Sequence, residues 1–99
     1  MTTNIKSELL YDVKYYDAEG AFVEIKVWQV PRSQDKPHGL RYSFTYVVKG
    51  ARVIGYDNAE GKGDHRHIRG RERAYAFKSL KKLWVDFMKD IEAFKEGKI

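Results

Sequence analysis

Two histidines, His65 and His67, stand one residue apart at the end of the run Tyr56-Asp57-Asn58-Ala59-Glu60-Gly61-Lys62-Gly63-Asp64-His65-Arg66-His67. Lys62 lies between two glycines and Arg66 between the two imidazoles. The run holds one aromatic and one alanine among polar, charged and glycine residues, so it reads as a loop rather than as core. A loop with such side chains on a small scaffold is a functional signal. Histidine titrates near neutrality and serves as acid or base. If the backbone here is extended, both rings project to one face with Cα atoms roughly 6.5–7 Å apart. That spacing can bracket a phosphate. Lys62 and Arg66 would add positive charge to a transition state, and Gly61 and Gly63 would let backbone amides approach the anion.

Two other readings stay open for the same residues. His-x-His with oxygen ligands from Asp57 or Asp64 is a metal-binding pattern, and a merely polar structural loop is the third reading. The neighbouring residues carry local expectations. His38, in a proline loop, reads as an exposed bystander. Asp57 and Asn58 read as caps of the local turn, and Gly55 as the mark of a bulge.

Charge points to a polyanionic partner. The chain has 19 basic against 14 acidic residues, a net +5, which favours nucleic acid or an acidic protein. Lys62, Arg66, Arg69, Arg71 and Arg73 face only Asp64 and Glu72 in residues 62–73, so much of the excess is local. Arg69, Arg71 and Arg73 are therefore candidate RNA contacts. Lys78, Lys81 and Lys82 surround the start of a helix, where cations cost a few tenths of a kcal/mol each against the helix dipole. A bound phosphate would relieve that cost. The alternative is that these side chains simply point into water.

Several classes fall away. The chain contains no cysteine, which excludes disulfides, thiolate zinc sites and a cysteine nucleophile. The first eight residues carry no apolar run for a signal peptide, and no stretch is long and apolar enough to span a membrane. The expectation is one cytoplasmic domain over residues 1–99 that needs no cofactor.

The elements that must hold the loop are legible from periodicity. Leu9, Tyr11, Val13 and Tyr15 alternate with Asp12 and Lys14, the pattern of a half-buried strand. Asp17-Ala18-Glu19-Gly20 turns the chain into a second strand, 21–30, with Val23, Ile25 and Val27 on one side. A proline loop follows, then a strand over 40–49 with Leu40, Tyr42, Phe44, Tyr46 and Val48 on one face. Lys49-Gly50 turns into a fourth, 51–56. After the loop Tyr75 and Phe77 alternate briefly, and Ser79 is a helix N-cap. Leu80, Leu83, Trp84, Phe87, Met88, Ile91 and Phe94 then form an apolar stripe. Lys82, Asp86, Lys89 and Asp90 lie on the outward side, and Gly97 stops the helix. The expected fold is α+β: a four-stranded antiparallel meander with one C-terminal helix, about 79–96, packed on a sheet face.

Residues 56–91 resemble the TumE family, toxins of bacterial toxin–antitoxin pairs. The resemblance rests on Tyr56-Asp57-Asn58, Gly61-Lys62-Gly63, His65-Arg66-His67, Tyr75, Phe77, Leu83, Asp86-Phe87 and Asp90-Ile91. It implies a small toxin silenced by a helix-turn-helix antitoxin. Arg69-Gly70-Arg71-Glu72-Arg73 is more basic than the resemblance leads one to expect, so its arginines read as substrate contacts rather than catalytic groups. Small toxins of this kind often cut RNA. Here His65, His67, Lys62 and Arg66 are the candidate catalytic set for metal-independent cleavage. Two alternatives belong to other classes: a non-catalytic RNA- or ribosome-binding protein, and a protein-binding module for the antitoxin alone.

Overall fold

The computed structural model describes residues 7–59 and 61–99; the signal-peptide reading of the first residues lies largely outside them. Strands β1 (Glu8–Tyr16), β2 (Phe22–Gln29), β3 (Leu40–Val48), β4 (Ala51–Asp57), β5 (His65–Ile68) and β6 (Arg71–Ala74) precede helix α1 (Leu80–Lys95). The strands pair antiparallel in sequence order. The fold is the expected α+β meander with a C-terminal helix, but its sheet has six strands rather than four.

The two additional strands occupy what the sequence presented as loop and basic tail. Their eight residues include only Ile68 and Ala74 as apolar side chains, so apolar alternation could not reveal them. The turn joining them could. Arg69 and Gly70 have φ of 48° and 82°, matching Lys49 and Gly50 at 51° and 78° between β3 and β4. Positive φ at both central residues is the two-residue hairpin turn whose twist suits paired strands. Both hairpins thus carry an X-Gly turn of one kind.

One face of the sheet is apolar where α1 covers it. Val23, Ile25 and Val27 of β2, Tyr42, Phe44 and Tyr46 of β3, and Ile54 and Tyr56 of β4 are buried with Leu83, Phe87 and Ile91 of α1. Phe87 meets Phe44 and Tyr56 edge to face at 5.4 and 6.2 Å between ring centroids, a favoured geometry for π-systems. Ser79 caps the helix, its hydroxyl accepting from the Lys82 amide. Lys98 N–H donates to the Ala93 carbonyl and Gly97 N–H to Phe94, with Gly97 at φ 74°. That pair of bonds is the usual glycine stop. No helix among the described residues is long and apolar enough to cross a membrane.

Three expectations about individual residues change. Strand β1 is exposed along its whole length rather than half-buried, because α1 lies over β2 to β4 and leaves the edge uncovered. Trp84, placed by periodicity on the apolar stripe, stands 43% exposed beside that edge. Gly55 is not itself the bulge: the register slips at Leu9/Tyr11 in β1 and across Arg52–Ile54 in β4, where Val53 is the extra residue.

Phe87 has no exposed surface and fills the space between sheet and helix. Phe87→Ala is expected to lower unfolding free energy by about 3–5 kcal/mol through lost burial and a cavity. Urea titration followed by far-UV dichroism measures it, and a loss under about 1 kcal/mol would place the ring outside the core.

Candidate active site

Strand β5 exists because its flanks are tied down. Asn58, fully buried, accepts from the Tyr42 amide and donates to the Leu40 carbonyl. It therefore staples the end of β4 to β3 rather than capping its own turn. At the other end of the loop Asp64 accepts from the Tyr42 hydroxyl at 2.7 Å and meets His38 Nε2 at 3.0 Å. His38 Nδ1 accepts the Leu40 amide, so in the neutral ring the proton sits on Nε2 and is donated to Asp64. His38 also lies 4.1 Å from the Phe77 ring. It is a half-buried strut, not a bystander. Burial first, then the Asp64 hydrogen bond, push the Tyr42 phenol up, which keeps it a donor.

With both ends held, β5 pairs His65 with Asp57, Arg66 with Tyr56 and His67 with Gly55. Side chains alternate across a strand. Tyr56 points into the core under α1, so Arg66 points that way too, and His65 and His67 both emerge on the opposite face. They are on a strand rather than in a loop, and the one-face arrangement follows from that.

The histidines are set among paired charges. His65 Nε2 lies 2.8 Å from the Lys62 carbonyl, which can only accept, so Nε2 carries the proton and Nδ1 is the ring's proton-accepting nitrogen. Nδ1 sits 3.0 Å from Glu72 Oε2, off the direction a ring N–H would take, and makes no hydrogen bond. His67 Nε2 stands 3.2 Å from Asp57 Oδ2 in the same near-miss, and its Nδ1 is 4.0 Å from Glu72. Lys62 Nζ is 3.2 Å from Glu72 and Arg52 2.8 Å from Asp57. The carboxyl of Glu72 is held below its ordinary value, first by Lys62 and then by the two histidines. Each imidazole therefore faces a carboxylate that also faces a fixed cation. Among the described residues, no three His, Asp or Glu side chains converge as a metal-holding group.

Gly55 earns its place here. A Cβ at this position would collide with the Arg52 guanidinium, which crosses over the bare backbone to reach Asp57. The glycine is a passage for a side chain.

The rest of the candidate set divides by face. Arg66 forks onto Asp90 of α1 at 2.9 and 2.7 Å and reaches the Tyr56 hydroxyl at 3.1 Å. Tyr56 in turn donates to Asp90 at 2.5 Å. Asp90 is thus buried, not outward-facing, because a carboxylate with three donors can be. Those bonds raise the Arg66 guanidinium, and burial followed by the Asp90 bond raises the Tyr56 phenol. Arg71 and Arg73 lie on edge strand β6, paired with Ile68 and Arg66 and so on the helix side. Arg69 stacks its guanidinium over Phe94 at 4.7 Å. Lys82 binds Asp86, which also accepts from Tyr75; Lys78 and Lys81 are exposed. The structure thus gathers His65, His67 and Lys62 and sends Arg66 to the other side. Arg52, Asp57 and Glu72 complete the cluster. Glu72 could have been found from sequence, since an Arg69-Gly70 turn places it directly opposite His67.

A family model described as Toxin TumE matches residues 3–95. No curated relative and no solved structure gives a significant match.

Replacing Asp90 by alanine strands the Arg66 guanidinium and the buried Tyr56 hydroxyl together. A destabilisation of about 1–3 kcal/mol is expected. Lys62→Ala, on the exposed outer face, should stay within about 0.5 kcal/mol. Parallel denaturant curves test the contrast, and equal losses would refute the clamp.

Proposed function

Since the chain belongs to the TumE toxin family, we propose that it is the toxin of a toxin–antitoxin pair and acts by cleaving RNA at His65 and His67. A toxin of such a pair implies an antitoxin partner, here a helix-turn-helix protein that binds and silences the single domain 1–99 in the cytoplasm. The observation that carries the catalytic reading is the outer face of β5. Two imidazoles share that face, each against a carboxylate whose charge Arg52 or Lys62 offsets.

On this reading the two rings divide the proton transfers between them. His67, with Nε2 against Asp57 and Nδ1 making no hydrogen bond among the described residues, takes the proton of a ribose 2′-hydroxyl as O2′ attacks the adjacent phosphorus. His65, its Nε2–H released from the Lys62 carbonyl, protonates the 5′-oxygen as the P–O5′ bond breaks. Products are a 2′,3′-cyclic phosphate and a 5′-hydroxyl end. Glu72 and Asp57 steady each imidazolium when it forms, as carboxylates do beside catalytic histidines, and Lys62 and Arg52 offset charge on the phosphate oxygens. Arg66 supports the site from behind, through Asp90, instead of touching substrate. Arg69, Arg71 and Arg73 lie on the helix side of the β5–β6 hairpin, behind the histidine face, and with Lys78, Lys81 and Lys82 they offer the RNA backbone a basic track that reaches the site around the β6 edge.

His65→Ala and His67→Ala are each expected to abolish toxicity and RNA cleavage with the fold intact, since neither ring belongs to the core. Cleavage by the parent chain should survive chelation, give a bell-shaped pH profile and leave cyclic phosphate ends. Full toxicity in both variants would replace catalysis with docking alone. Loss on chelation, restored by zinc or manganese, would replace it with metal chemistry.

Substituting Arg69, Arg71 and Arg73 together should flatten the salt dependence of RNA binding by a little under one unit of slope per lost phosphate contact. An unchanged slope would make these arginines bystanders.

A further inference from the structure

The two edges of the sheet differ in kind. Edge strand β6 has four residues, and three of them, Arg71, Glu72 and Arg73, are charged. Short, charged edges resist pairing with another chain. Edge strand β1 runs nine residues, Glu-Leu-Leu-Tyr-Asp-Val-Lys-Tyr-Tyr, with no proline and every residue exposed. Tyr11 and Tyr16 are 55% and 73% exposed, and Leu9, Val13 and Tyr15 39–50%. The inner side of this strand continues into an apolar groove of about 370 Å³, bounded by Tyr11, Val13, Ile25 and Val27 on the sheet and Trp84 on α1. So the unprotected edge is also the place where the core face runs out from under the helix.

We propose that β1 pairs with β1 of a second copy of this chain, antiparallel about a two-fold axis at Val13, to form a twelve-stranded sheet across two protomers. The strand's own sequence selects both occupant and register. Residues opposite each other across antiparallel strands point to the same face, so symmetric pairing must centre on a residue that meets its own copy. Centring on Asp12 or Lys14 sets like charges face to face. Centring on Tyr11 runs the pairing through the β-bulge at Leu9/Tyr11. Centring on Val13 uses the regular part of the strand and sets Asp12 against Lys14 twice, with Tyr11 against Tyr15 twice on the other face.

The remaining charges agree with this register. The two-fold axis stands perpendicular to the sheet, so both helices lie on one side. Tyr11, Val13 and Tyr15 of each copy then join into one apolar floor between the two Trp84 side chains. The basic segment 62–73 lies at the far edge of each sheet. Four to five strand spacings of about 4.8 Å separate it from the junction, well beyond a Debye length at physiological salt.

The test uses the full chain, whose lack of cysteine makes a single introduced thiol diagnostic. Val13→Cys should give a covalent dimer under mild oxidation, because opposed Cβ atoms lie about 4.5–5.5 Å apart. Tyr11→Cys alone should not, whereas a mixture of Tyr11→Cys and Tyr15→Cys should. By light scattering the parent chain should be a dimer. Asp12→Lys should weaken it about tenfold through two new like-charge pairs, and adding Lys14→Asp to that variant should restore it. A monomeric parent chain would overturn the proposal, even if β1 then pairs with an added protein. A dimer indifferent to Asp12→Lys, or cross-linked equally at any β1 position, would overturn it too.

Discussion

The bond between Arg66 and Asp90 decides more of this molecule than its two residues suggest. A carboxylate on the sheet-facing side of α1 is costly unless several donors meet it, and here Tyr56 and both arms of the Arg66 fork do so. The bond ties α1 to β4 and β5 together. It also fixes an orientation. Because strand side chains alternate, an arginine drawn inward at position 66 forces positions 65 and 67 outward. The histidine pair is displayed on the open face as a consequence of what lies beneath it.

The open face solves a different electrostatic problem. Two imidazoles, two carboxylates and two fixed cations crowd a small patch at the end of the sheet. Direct Arg52–Asp57 and Lys62–Glu72 contacts leave each carboxylate partly neutralised, so it can steady an imidazolium without repelling an anion outright. Absence of a side chain at Gly55 makes half of this arrangement feasible. The missing methyl group at that one position lets the Arg52 guanidinium pass over the strand to Asp57.

Much of the frame was legible in the sequence because burial writes a period. The β2 and β3 faces, the Ser79 cap, the Gly97 stop and the buried Leu83, Phe87 and Ile91 all follow from apolar spacing and capping chemistry. What escaped was structure held by charge. Strands β5 and β6 are pinned by Asn58, Asp64 and an X-Gly turn rather than by their own apolar residues. Asp90 was assigned to solvent because its three donors come from elements distant in sequence. For the same reason Arg66 grouped with the histidines by proximity along the chain, although geometry separates them. His65, His67 and Lys62 were found from residue type alone. Glu72 was within reach through the Arg69-Gly70 turn, whereas Arg52 needed its path over Gly55, which no local pattern states.

Asn58 and Asp64 act as two posts, each fastened to β3, with the glycine-rich loop strung between them. This divides the chain by its tolerance of length change. A residue added between the posts lengthens the loop at small entropic cost. A residue added between Asp64 and Arg66 would turn the strand over, carry an imidazole toward Asp90 and eject the guanidinium into water. Variation in the spacing of the site can therefore accumulate on one side of Asp64 and not on the other. The reach of the Lys62 arm can be retuned by insertion while the histidine pair keeps its phase.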